Sequence, residues 1–449
     1  LWHYVLEQRY LGSNTDYPAP DPRRQLRPKN ARVFPASQPQ KRFHSFDNSG
    51  RYTSACSPMI YRDDLLFQDE AIHAFTCEPF HNLVQHMTLK RDGYSFTAER
   101  SGSDDAPDFF ASEDRWSRPV MARTGPDGAL WVVDMYRYMI EHPDWLPTEG
   151  KEEMKPHERK GSDFGRIYRI FREGRSPRPI PRLAKVSSDK LVSTLSNRNG
   201  VVRDLAHRLL IERKEDSVSD LLIEMTKGHH FAQARLHALC VLDGIGRLGD
   251  DVLQSAFADS HHEIRRHALR LAESRWSENS NLLSKAIPLM GDPDPAVRLQ
   301  AACSLSTSDD PTANEALIRF GGENEDDIFI RALVFNSALA KTEWFTQAIL
   351  AHDNLIGELI ATQKDFTQAS RDLVIAHLSD PGERSFRAAQ LKTLGIWLDR
   401  FPEDLSKLDG LLKMARAMVV DPKVPDKMRA AATCLLGRQG DLQEADQAQ

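Results

Sequence analysis

A short pattern that returns every 30 to 33 residues restricts what the second half of this 449-residue chain can fold into. An apolar residue followed by arginine occurs at Val202-Arg203, Ala234-Arg235, Ile264-Arg265, Val297-Arg298 and Ile330-Arg331. Ala206 and Leu209, Ala238, Ala268 and Leu271, Ala301 and Leu305, and Val334 and Ala338 follow at spacings that line one face of a helix. A unit of this length has room for two short helices. One such hairpin cannot cover its own apolar stripe, so the units must stack without a break. Residues 183–449 are therefore expected to form an α-solenoid. In Asp292-Pro293-Asp294-Pro295-Ala296-Val297-Arg298, Asp294 is suited to cap free amides and Pro295 to the first helical position. Copies around Phe386-Arg387 and Met428-Arg429 are weaker and their spacing slips.

The repeated arginines have two readings. They can pair with neighbouring Asp and Glu to hold register, or meet an acidic partner; the first is expected. His229-His230 and His261-His262 fall at turns between helices, where adjacent side chains point apart and make poor joint metal ligands. The pattern resembles HEAT repeats, in which Asp and Arg recur at these places.

Residues 174–182 separate this array from a different kind of sequence. Pro177, Pro179 and Pro181 exclude a helix or a central strand and favour an extended linker. Residues 1–173 are rich in Pro, Gly, Tyr and Trp. Thr53–Tyr61, Ile72–Glu78, Leu83–Lys90 and Tyr94–Glu99 read as four successive strands. Val120–Thr124 and Ala129–Asp134 read as a hairpin about the turn Gly125-Pro126-Asp127-Gly128, and Gly165–Ile170 as a third strand. Leu1–Glu7 is a further strand-like run ending on an acidic residue, as do Ile72–Glu78 and Ala129–Asp134. Repeated four-stranded units are the blade pattern of a β-propeller. The expected fold is multidomain β + α: the C-terminal blades of a partial β-propeller over 1–173, then a HEAT-type α-solenoid. Trp116, Trp131 and Tyr168 are expected to pack between blades. The chain opens at Leu1 without Met, which reads as an internal fragment, and an open propeller would leave strand edges prone to aggregation.

Composition excludes some function classes. With 59 basic and 65 acidic residues and no basic block, the surface for nucleic acid is missing. No apolar run reaches the roughly 18 residues of a transmembrane segment. Cys56, Cys77, Cys240, Cys303 and Cys434 are scattered, which argues against a disulfide framework, and no C-x-x-C-H sequence is present for covalent haem.

The runs Cys77–Val84, Trp116–Val120, Gly125–Arg137, Ile140–Pro143 and Gly165–Ile170 together resemble a bacterial family of membrane-bound dehydrogenases. Its propeller is similar to those of soluble quinoprotein glucose and sorbosone dehydrogenases; HEAT-like repeats follow, and often a c-type cytochrome domain. The resemblance implies pyrroloquinoline quinone and calcium as cofactors, a sugar or related alcohol as substrate, a c-type cytochrome domain as electron acceptor, and a periplasmic or cell-envelope location. Loops after the second strand of each blade gather at one mouth of a propeller. That would bring Glu78, His81 and Asn82 beside Asp134, Tyr136, Arg137, Glu141 and His142. His81 or His142 is then the candidate base that takes the alcohol proton. Arg118 and Arg137, with Tyr136, are candidates for holding the cofactor, and Glu78, Asn82 and Asp134 for ligating calcium. The alternative is a non-enzymatic module binding a carbohydrate or a protein.

Overall fold

The computed structural model describes residues 1–12, 14–27, 31–37, 50–140, 148, 151–152, 155–157, 159–379 and 388–438. The chain groups into two compact units, Leu1–Val5 with Arg23–Ala268, and Leu6–Pro22 with Leu269–Gln449.

Among the described residues the first unit is built on three antiparallel sheets. β1 (Trp2–Tyr4) pairs with β2 (Arg23–Gln25). A larger sheet runs β3 (Cys56–Ile60), β4 (Ile72–Glu78), β5 (Leu83–Asp92) and β6 (Ser95–Arg100) in chain order, with the short β7 (Phe110–Ala111) added to β5. This is the four-stranded meander expected for one blade. The third sheet has β9 (Leu130–Asp134) between β8 (Pro119–Thr124) and β10 (Arg166–Ile170). The β8–β9 turn forms as read: Gly128 has φ +92°, and an added Cβ would lie 2.7 Å from Arg178 Nη2.

Side-chain alternation assigns each face. Thr76, Ala74 and Met87 lie on one face of the large sheet, and Ala74 and Met87 pack with Leu26 and Ala98. On the opposite face Phe75, Cys77 and Val84 meet Ala122, Leu130 and Val132 of the third sheet. Tyr168 packs against this seam, as expected. Trp131 does not: Leu130 and Val132 occupy the inward positions, so Trp131 points to the other face, its Nε1 donating to Asp127 Oδ1 at 3.0 Å. Trp116 packs against Tyr136 and Tyr138. The region is rich in antiparallel sheet and is followed by helical repeats; a full propeller is not seen among the described residues.

The boundary between the units differs from the proline-rich connector. Helices 188–194, 200–213, 219–228, 232–244 and 250–257 belong with the sheets. Hydrogen bonds account for this grouping. Asn199 caps the helix Gly200–Arg213 through Val202 N, while its amide donates to Asp63 Oδ2 (2.6 Å) and to Gly125 O (2.8 Å). Arg178 of the connector is paired with Asp63 and Asp64.

In the second unit the segment Leu6–Pro22 lies along the helices from residue 269 onward. Tyr10 and Arg9 bond Glu273, Asn14 Nδ2 donates to Phe335 O at 2.8 Å, and Tyr17 stacks on Phe335 and donates to Glu358 Oε1 at 2.6 Å. The strand expected over Leu1–Glu7 thus ends at Tyr4, and Glu7 faces Arg9 and Arg270.

The helical period is observed directly. Arg203, Arg235, Arg265, Arg298 and Arg331 are each the fourth residue of a helix, those beginning at Gly200, Ala232, His262, Pro295 and Ile328. Asp294 caps its helix as expected, with Pro295 first. The arginines, however, bond mainly to their own turns. Arg203, Arg235, Arg265 and Arg298 donate to the carbonyl six residues earlier at 2.7–2.8 Å and to the one five residues earlier. Asn197, Asp259 and Asp292, at the first of these carbonyl positions, accept the amide two residues on through their side chains, and His229 does so through Nδ1. A bridge between turns joins Arg235 to Asp259 at 2.7 Å. Arg331 instead faces Glu358 at 3.4 Å. The paired histidines stack on each other at their turns. Of the weaker copies, Phe386-Arg387 lies outside the described residues, and Arg429 is again the fourth residue of a helix, Asp426–Thr433. No helix among the described residues is long and apolar enough to cross a membrane.

Candidate functional site

Pro79 cannot extend the β-ladder, so β4 stops at Glu78 and a tight helical turn, Pro79–His81, leads to Asn82 at φ +59°. Asparagine tolerates this left-handed conformation better than most residues. The turn buries three polar side chains. Glu78 is fully buried, and its carboxylate accepts from the Thr53 and Ser54 amides (3.1–3.2 Å) and from both hydroxyls (2.9–3.0 Å). His81 Nε2 accepts from Gly50 N at 3.1 Å, which leaves the proton on Nδ1, 3.4 Å from Glu78 Oε1. Asn82 accepts from Ser37 Oγ at 2.8 Å and donates to the carbonyls of Arg115 and Ser117.

The end of β9 is built the same way. Asp134 Oδ1 accepts from Arg118 N (2.6 Å) and from Tyr136 N (2.9 Å), which holds Tyr136 at φ +53°. The Tyr136 ring lies under the Arg166 guanidinium, 4.1 Å away. Arg118 is buried and joins the two turns. It donates to Pro79 O (3.1 Å) and Phe80 O (3.2 Å) on one side, and to Arg137 O (3.1 Å) and Tyr138 O (3.0 Å) on the other. Arg137 donates to the carbonyls of Met135 and Tyr136. The turns after β4 and β9 are therefore brought together, with Arg118 as the link. His142 and Glu141 lie outside the described residues.

What converges is backbone, held by side chains whose bonding is internal. A calcium ion takes six to eight oxygens. Here the oxygens of Glu78 and Asn82 and one of Asp134 already accept from the protein. Of these oxygens Asp134 Oδ2 is buried without a hydrogen bond, with Arg166 Nε 4.0 Å away. Among the described residues no three His, Cys, Asp or Glu side chains are grouped to hold a metal. As arranged, this set does not fit calcium, and Arg118 has its donors on carbonyls where a quinone carboxylate would need them.

Two features fall outside the sequence reading. His73 and His86, on β4 and β5, form a chain with Asp69: His73 Nε2 is 2.6 Å from Asp69 Oδ1, and His73 Nδ1 is 2.9 Å from His86 Nε2. With both rings neutral, His86 donates to His73 and His73 to Asp69. Phe67 stacks on both histidines and Phe75 on His86. Burial first, and then His73, brings the His86 pKa down to about 4. The signal for this cluster was the hairpin register, which sets Phe75 across from His86 and so His73 near it. On the opposite face of the sheet a cavity of about 140 Å³ is lined by Gln25, Arg27, Tyr52, Thr76 and Met87; none of the described candidate residues lines it.

Residues 1–174 match a domain of unknown function (DUF7133), and residues 249–336 match HEAT repeats. No curated protein matches the chain. Among solved structures, a chain from work entitled "A conserved phosphorylation switch controls the interaction between cadherin and beta-catenin in vitro and in vivo" is similar at 15% identity and a TM-score of 0.31. The similarity covers 59% of this chain and 63% of that one, too distant a likeness to bear on function. The chain thus carries a DUF7133 domain at its N-terminal end and HEAT-like repeats after it.

Proposed function

We propose that this chain is a non-enzymatic binding module whose sheets present a docking face to a protein partner and whose helical repeats serve as scaffold. The observation that carries this reading is the internal bonding of Glu78, His81, Asn82 and Arg118, with one oxygen of Asp134, which engages these described residues of the expected mouth with the protein itself. A second observation supplies the face. The outward side of the third sheet carries the cross-strand row Met121–Val133–Ile167 beside the row Arg123–Trp131–Arg169. Ile167 is 61% exposed and Met121 43%. Apolar side chains flanked by Trp and Arg are the composition of protein interfaces. A photo-reactive residue at Ile167, followed by identification of the cross-linked protein, tests the reading. One specific adduct, lost on Met121→Glu, is the expected result; labelling that stays indiscriminate and indifferent to Met121→Glu would sink it.

A second reading, a quinone-dependent dehydrogenase of sugars or related alcohols with a c-type cytochrome acceptor in the cell envelope, rests on the family resemblance of the sequence and on the turns after β4 and β9 lying side by side. Pyrroloquinoline quinone would supply the hydride acceptor and calcium its activation. Dye-linked oxidation across a sugar panel, with quinone and calcium added, decides between the two. Turnover would replace the binding reading.

A further inference from the structure

Cys56 and Cys77 face each other across the antiparallel β3–β4 pair. The pairing depends on a bulge. Between Met59↔Phe75 and Cys56↔Cys77 the register shifts, and Ser57, within the shift, has φ +51°. In an unbroken register Ser57 would stand opposite Cys77; the bulge puts Cys56 there instead. A left-handed non-glycine residue is a costly device, and bulges commonly re-aim a side chain next to a functional position. Ser57 is held by its hydroxyl, which accepts from Ala122 N at 3.1 Å and from Arg123 Nη1 at 2.7 Å. Both sulfurs belong to the seam between the second and third sheets.

The two thiols differ in the way a dithiol exchange needs. Cys77 is fully buried; Cys56 is half-buried, and its Sγ donates to Val120 O at 3.3 Å. The hydrogen bond from Cys77 holds the Cys56 thiol below its ordinary pKa, and the same contact, with burial, pushes the Cys77 thiol up. The more accessible sulfur therefore has the larger thiolate share and the buried one keeps its proton. Both are free thiols in this structure.

We propose that Cys56 and Cys77 are a redox modification site, oxidised to a cross-strand disulfide by a low-molecular-weight disulfide. The Cys56 thiolate attacks one sulfur of the oxidant, forming a mixed disulfide and expelling the other half as a thiolate. The Cys77 proton passes to that thiolate. The Cys77 sulfur then attacks Cys56 Sγ, forming the Cys56–Cys77 bond and releasing the second half as a thiolate, which takes up the proton that Cys56 gave to solvent. Two protein thiols are oxidised and one disulfide is reduced to two thiols. Directly opposed strand positions place Cβ atoms close to the separation that a disulfide spans. The product ties β3, an edge strand of its sheet, to β4.

The test is incubation of the full chain with glutathione disulfide, alkylation of remaining thiols under denaturing conditions, and peptide mapping by mass spectrometry. The expected product joins Cys56 to Cys77, leaves Cys303 alkylated, raises the melting temperature, and is reversed by dithiothreitol. Cys77→Ala should accumulate a glutathione adduct on Cys56, whereas Cys56→Ala should form none on Cys77. Recovery of Cys56 and Cys77 both alkylated from folded wild-type protein, or a persistent glutathione adduct on Cys56 with Cys77 intact beside it, would overturn the proposal. The wild-type map decides the matter even if a variant fails to fold.

Discussion

Arg118 donates to four backbone carbonyls on two turns, and no other side chain has the reach and the planar fork to replace it. Arg118→Ala should cost about 3 kcal/mol in urea unfolding, since the carbonyls lose charge-assisted partners in a buried place. Arg118→Lys should recover little of that. The residue stood out in sequence by its place before a strand, but a cofactor clamp and a carbonyl clamp ask for the same side chain. Only the coordinates of its acceptors separate them. The same ambiguity covers Glu78 and Asn82, because hydroxyls and amides compete with a metal for the same lone pairs. His86 carries a prediction of another kind. Its folded pKa of about 4 lies below the ordinary value near 6.5, so the unfolded chain binds the proton more readily. Stability is full above about pH 6.5 and falls as pH drops from there toward 4, by on the order of 1–2 kcal/mol once solvent access is allowed for. His237, also lowered to about 4 by burial, acts in the same direction. Thermal melts from pH 4 to 8 should show this loss, and His86→Phe should flatten part of it.

Single elements explain which parts of the fold were legible. The strands read as Ile72–Glu78 and Leu83–Lys90 were legible because the turn Pro79-Phe80-His81-Asn82 bounds them, the second running on to Asp92. The solenoid was readable because its period is carried by arginine, a residue that has to be bonded when buried. What escaped was the arginines' partner: carbonyl oxygens have no signature in sequence, whereas Asp and Glu do. Arg298→Ala should therefore destabilise its repeat by about 1–3 kcal/mol by releasing the turn at Asp292 and Pro293. Asp294→Ala should cost about 1 kcal/mol through the lost cap. Because both act on one turn, the double variant should cost less than the sum. Denaturant titration of the three proteins checks this. The segment Leu6–Pro22 escaped for a simpler reason. Its anchors, Tyr10, Asn14 and Tyr17, are bonded to residues more than 250 positions away, and no local pattern encodes such contacts.

At the scale of the molecule, the outward face of the third sheet is an apolar row left open to solvent within its unit. Met121→Lys with Ile167→Lys should lower any concentration-dependent light scattering without changing the melting temperature by more than about 2 °C, since exposed side chains add little to stability. A larger fall would mean that this row is buried in the folded protein. The helical turns carry a different lesson. Where an arginine ties its own loop, carbonyls of that loop are bonded before any neighbour is added. Apart from links such as Arg235 to Asp259, the greasy seam is then what has to match when one hairpin follows another. Gene duplication could lengthen or shorten such an array by whole hairpins with few polar links to rebuild, and its length could drift between lineages while each loop stayed unchanged.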